Sequence, residues 1–84
     1  NAAVRNELDL RGQYGDDAWF KADRFIDSAI MAGYETVTLI HGKGTGALRA
    51  ALWQHLKNDR RVVSYRSGRY GEGDLGVTVC ELKK

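Results

Sequence analysis

A chain of 84 residues with 43% hydrophobic and 29% charged side chains can build one small core and one site, and is too apolar to be a disordered segment. Its net charge of +2 permits a nucleic-acid partner without demanding one. No apolar run is long enough to cross a bilayer and no signal-peptide pattern opens the chain, so a cytoplasmic setting is the default expectation.

The lone Cys80 excludes an internal disulfide and a thiolate-rich zinc site, and its Val/Thr surroundings read as a strand burying an inert thiol. An opening at Asn1 without Met is read as a piece cut from a longer protein, with residues 1–6 as a tail or linker end and 7–84 as the domain. From Glu7 the pattern alternates, Leu8 and Leu10 against Glu7, Asp9 and Arg11, which predicts a half-buried strand with Asp9 and Arg11 on its accessible side.

Asp16 and Asp17 are N-cap candidates for a helix whose apolar stripe is Ala18, Ala22, Phe25, Ile26, Ala29 and Ile30, stopped at Gly33. Thr36–Ile40 is a buried strand that delivers His41 at its C-terminal end. A second helix runs from Gly46 or Ala47 to about Lys57, with Leu48, Ala51, Leu52, His55 and Leu56 inward; Trp53 and Arg49 share a flank that either contacts a partner or packs partly against the domain. A third strand, 62–66, leads into a loop, 67–76, too glycine-rich for regular structure and long enough to suggest function. Val77–Leu82 is the last strand.

The order βαβαββ predicts an α/β two-layer sandwich: a mixed four-stranded sheet with two helices on one face. Its first three strands are parallel, the last antiparallel, and the other face is largely open. Sites in such sheets gather beyond the carboxyl ends of the parallel strands. There Ile40-His41-Gly42-Lys43-Gly44-Thr45-Gly46 joins strand to helix, and its alternate glycines let the backbone close tightly around a ligand. The helix N-terminus behind it favours a phosphate. The loop matches neither a Walker sequence nor a full dinucleotide fingerprint, which leaves a small-nucleotide site as a weaker reading.

If the first two strands are neighbours, Asp9 and Arg11 come within reach of His41 and Lys43. Imidazole, carboxylate and two cations together suit phosphodiester cleavage. Read alone, His41 is a strand-end cap bonding a neighbouring carbonyl, and Asp9 with Arg11 a solvated ion pair. Tyr14, Tyr65 and Tyr70, near Arg66 and Arg69, add stacking faces suited to single strands, or else anchor loop ends to the core. Clustered carboxylates for a two-metal centre are lacking, so metal dependence stays open between none and one divalent cation, Mg²⁺ or Mn²⁺.

Three segments in order, Leu8-Asp9-Leu10-Arg11-Gly12, His41-Gly42-Lys43-Gly44-Thr45-Gly46-Ala47-Leu48-Arg49 and Gly71-Glu72-Gly73-Asp74-Leu75-Gly76-Val77-Thr78-Val79, resemble the motifs of the Smr (small MutS-related) domain. The resemblance implies a sandwich like the C-terminal domain of bacterial translation initiation factor three, and endonuclease action on DNA or RNA, including messenger RNA on ribosomes. It implies Asp9, Arg11, His41 and Lys43 as catalytic residues. It also implies Gly42 and Gly44 as substrate-binding residues; the loops gathered at the same edge add Thr45, Gly46, Arg49, Arg66, Arg69, Tyr70, Gly71 and Gly73 as candidate nucleic-acid-binding residues.

Stand-alone members often have histidine at position 11. The arginine form is similar to the Smr domain ending a bacterial MutS paralogue, whose larger part is a dimeric ATPase clamp in DNA repair or ribosome rescue. Arginine cannot serve as a neutral base, so a non-catalytic DNA-, RNA- or ribosome-binding module is the alternative. Asp74 stands where a further glycine is common.

Overall fold

The computed structural model describes residues 6–84. In chain order it contains β1 (Glu7–Asp9), α1 (Gly15–Met31), β2 (Thr36–Ile40), α2 (Ala47–Leu56), β3 (Val62–Ser67), a short 3-10 helix (Asp74–Gly76) and β4 (Val77–Leu82). The sheet order is β1-β2-β4-β3. β1 and β2 pair in parallel, while β4 lies antiparallel between β2 and β3. The expected directions therefore hold, and the β2–α2–β3 crossover skips the central position that β4 fills.

Strand alternation builds the core. Leu10, Val37, Leu39, Cys80 and Leu82 point to the helical layer and meet Ala18, Ala22, Ile26, Ala29, Leu52 and Leu56. The small stripe of α1 lets the helices approach closely, since a Cβ on Gly15 would lie 3.2 Å from that of Ala51. This brings the N-termini of both helices to the same end of the sheet. Burial pushes the Cys80 thiol up to about 12, leaving it inert.

At the base of β3, Arg61 donates to the carboxylates of Asp23 (2.7 Å), Asp27 (2.8 Å) and Asp59 (2.6 Å), tying α1 to the sheet away from the loop glycines. Nothing in the sequence pattern marked this staple, because its three acids come from two elements.

Several boundaries differ from expectation. Of the expected tail, residues 1–5 lie outside the described residues, while the carbonyl of Asn6 already accepts from Thr38 N–H at 2.8 Å and so joins the sheet edge. Tyr14, not Asp16 or Asp17, is the N-cap of α1, and the two acids occupy its first turn. His55 is exposed rather than inward, stacked on Trp19 with ring centroids 4.5 Å apart. The glycine-rich loop contains a 3-10 turn because Gly73 O accepts from Gly76 N–H at 2.9 Å.

Candidate active site

Beyond the C-terminal ends of β1 and β2 lies a cleft of about 310 Å³, bounded by 12–15 on one side and 41–49 on the other. Gly15 opens α1 and Ala47 opens α2, so both helix N-termini face it. The N–H groups of Lys43, Gly44, Thr45 and Gly46 find no acceptor among the described residues. Thr45 turns its hydroxyl back to accept from Ala47 N–H (3.2 Å). Unpaired donors, the N-terminus of α2 with no acid in its first turn, and the exposed Lys43 make this an anion cradle. Tyr14 stands 82% exposed at its mouth.

The cradle is held from below by the third motif. The carbonyl of Gly76 accepts from the N–H groups of His41 (3.1 Å) and Gly42 (2.9 Å). The loop that precedes it, 68–76, is closed by Glu72, which accepts from Arg69 N–H (2.7 Å) and from Arg66 Nη1 (2.9 Å). Asp74 takes a positive φ of 51°, which explains the ease with which glycine fits that position. Arg66 and Arg69 thus meet at Glu72 and Gly73 sits against Val77, while Gly71 faces open space and Tyr70 is 97% exposed.

The predicted quartet is not gathered as one acid–base kit. Asp9 pairs in register with Ile40, so its side chain leaves the sheet on the open face. His41, one residue on, follows Leu39 into the helical layer. Arg11 stays with Asp9, donating through Nε (3.0 Å) and Nη2 (2.7 Å), and its stem packs on Gly42 at the back of the cradle. Asp59 and Arg61 repeat the same fork at the same spacing, so an Asp-x-Arg segment leaving or entering a strand forms this pair locally.

His41 is only 6% exposed. Its Nδ1 donates to Gly42 O at 2.9 Å, which fixes the proton on that nitrogen. Nε2 is left to accept from the Thr78 hydroxyl at 2.8 Å, and Thr78 in turn accepts from Trp53 Nε1–H at 2.8 Å. With its proton on Nδ1 the ring satisfies all four groups at once. The histidine floors the cleft as a brace for the loop. The bonds that tie Thr78 and Trp53 to His41 were missed by the sequence reading, which had Trp53 on a helix flank and Thr78 within the third motif, although strand parity with Cys80 already placed Thr78 on the helical face.

Among the described residues no three His, Cys, Asp or Glu side chains gather as metal ligands, and both Asp9 oxygens are engaged by Arg11. These residues alone do not form a protein cage for a cation. Arg11 holds the Asp9 carboxyl at about 2, and Arg66 with Arg69 N–H does the same for Glu72. Both lie below their ordinary values, so what the pairs contribute is fully present above about pH 4.5 and is lost as pH falls through about 2. Carbon-detected titration should show both midpoints near 2, with Asp9 returning toward 3.8 in Arg11→Ala. An Asp9 midpoint near 4 in the unaltered chain would dissolve the fork.

Comparison with known proteins places this architecture. The Smr domain family model matches residues 8–83. Endonuclease MutS2 of Pelotomaculum thermopropionicum is 57% identical over 79 residues, covering 94% of this chain and 10% of that protein's length. The crystal structure of the Smr domain of Thermus thermophilus MutS2 superposes with a TM-score of 0.90 at 44% identity, covering 93% of this chain and 98% of that one. YdaL, a stand-alone small MutS-related protein from Escherichia coli, gives a TM-score of 0.87 at 25% identity over 94% of this chain and 65% of its own. With nearly its full length matched in sequence and in fold, the chain belongs to the Smr domain family.

Proposed function

We propose that this chain is the endonuclease domain of a larger MutS-related protein and that it nicks or cleaves DNA or RNA at the cradle. The observation that carries the reading is the convergence of unpaired loop N–H groups, the N-terminus of α2 and Lys43 on one cleft. It suits a phosphodiester. Relatives called Endonuclease MutS2 support the same reaction class, with this chain matching about a tenth of their length.

In this reading, Gly42, Gly44, Thr45 and Gly46 seat the phosphate through backbone donors, and Lys43 offsets charge that builds on its oxygens in the transition state. Arg11, clamped by Asp9, adds a second cation behind the loop. His41 sets the loop and is the one imidazole lining the cleft. Both ring nitrogens are engaged, Nδ1 with the Gly42 carbonyl and Nε2 with Thr78, so the ring acts on the phosphate through the loop it positions. A divalent ion, Mg²⁺ or Mn²⁺, would have to arrive with the substrate and draw Asp9 away from Arg11. Family membership extends the proposal to a covalently linked MutS-like ATPase, to ribosome-bound RNA as one substrate setting, and to the cytoplasm, where a free buried thiol is at home.

Supercoiled plasmid and single-stranded RNA incubated with the chain, with Mg²⁺, Mn²⁺ or chelator, should be nicked or cut. Lys43→Ala should slow the reaction at least tenfold, roughly the loss of one charge-stabilising donor, with an unchanged circular dichroism spectrum. Substrates that stay intact under every condition yet still bind would convert the site into a docking module.

A further inference from the structure

Around the corner from the cradle, between the outer flank of α2 and the edge strand β3, a second cleft of about 330 Å³ is lined by Arg49, Ala50, Trp53, Gln54, Lys57 and Tyr65. Arg49 borders both clefts. Its guanidinium lies 4.1 Å from the Trp53 ring centre, and Nη2 donates to Ser67 Oγ at 3.0 Å. Its Nε–H is buried with no acceptor, alone in this among buried side-chain polar atoms of the described residues. Tyr65 meets Trp53 edge-on at 4.9 Å. The result is an aromatic floor, a flattened guanidinium with donors to spare, an exposed amide at Gln54 and an exposed ammonium at Lys57.

We infer that this cleft is a second subsite for single-stranded nucleic acid, which takes the strand as it leaves the cradle along α2. The inference rests on the phosphate-binding reading of the cradle. Arg49 joins the two subsites. A base stacks on the aromatic and guanidinium surface, Gln54 faces its edge, and Lys57 takes a following phosphate. From Ala47 to Lys57 the helix rises about 15 Å, the length of roughly four stacked nucleotides. A duplex keeps its bases stacked inside and cannot offer them to Trp53 and Tyr65, so the occupant is a single strand. Cations at the rim complement its charge.

The test measures binding of a labelled dinucleotide, an octanucleotide and a duplex of the same length to the chain at low salt. The Thermus thermophilus Smr domain, matched over 98% of its length, is solved as a separate domain. The octanucleotide should bind more tightly than the dinucleotide and quench tryptophan emission, a quench that Trp19→Phe leaves in place. Lys57→Glu should weaken the octanucleotide about tenfold and flatten its salt dependence by roughly one phosphate contact, with the dinucleotide unchanged. Equal affinity for both lengths, equal weakening of both by Lys57→Glu, or a duplex bound as well as the single strand would overturn the second subsite alone. Failure of both single strands to bind would remove the cradle reading and the subsite with it.

Discussion

Thr78→Val, a change of almost no volume, should destabilise the chain by about 2–4 kcal/mol, more than Thr78→Ser. The hydroxyl of this fully buried residue serves two partners at once, donating to His41 Nε2 and accepting from Trp53 Nε1–H. Valine would leave a buried acceptor and a largely buried donor both unmatched, and each such loss costs about 1–3 kcal/mol. Serine keeps the hydroxyl and loses one methyl, for about 1 kcal/mol. The order of stability should therefore be Thr, Ser, Val.

Denaturant unfolding measures that order, and nitrogen-detected NMR of the His41 ring reads the tautomer. Unaltered chain and Thr78→Ser should both carry the proton on Nδ1, and Thr78→Val should lose that fixed assignment. A valine variant as stable as serine, with the ring unchanged, would show that the relay does not hold His41. Cutting should fall in parallel with the tautomer, since the ring's other bond fixes the Gly42 carbonyl within the cradle.

Much of this was legible from residue order. The alternation of Leu8 and Leu10 gave the accessible side of Asp9 and Arg11, and the crossover rule gave three parallel strands. Both elements that line the cleft, the glycine loop and the helix start behind it, stand where the pattern put them. The assembled quartet did not follow, and the reason is strand parity. In a parallel pair with Asp9 opposite Ile40, the next residue, His41, must point through the sheet. Val37, Leu39 and His41 form one inward series, a signal already in the sequence but outweighed by closeness along the chain.

Other features depended on contacts without local period. β4 inserts between β2 and β3 because a central strand can bury both faces, as Val77, Thr78, Val79 and Cys80 do, and nothing in the βαβαββ order demands that position. Trp53 reaches Thr78 across 25 residues and the Arg61 staple reaches Asp23 across 38. Such pairings are set by helix packing. The Asp-x-Arg fork, by contrast, is local and appears twice.

Gly73→Ala should cost about 3 kcal/mol, whereas Gly71→Ala two residues away should cost about 1–2 kcal/mol. Both glycines have positive φ, 113° and 89°, a conformation that penalises a side chain at either position. Their surroundings differ. A Cβ on Gly73 would fall 2.6 Å from Val77 Cγ1, inside contact distance of a residue packed at the start of β4, while one on Gly71 meets nothing within 4 Å. Overpacking adds to backbone strain only in the first case.

The consequence reaches the cradle, because the 3-10 turn that begins after Gly73 ends in Gly76, whose carbonyl accepts from His41 and Gly42. Pushing Val77 away from a new methyl shifts that carbonyl. Gly73→Ala should therefore lose stability and dinucleotide affinity together, and Gly71→Ala should lose little of either. If position 73 instead served close approach of a nucleic-acid backbone, alanine there would lower affinity with the stability left almost at the Gly71→Ala level. Urea midpoints and binding curves on the two variants separate these outcomes. The first assigns the third motif to supporting the phosphate loop, and the second to touching the strand.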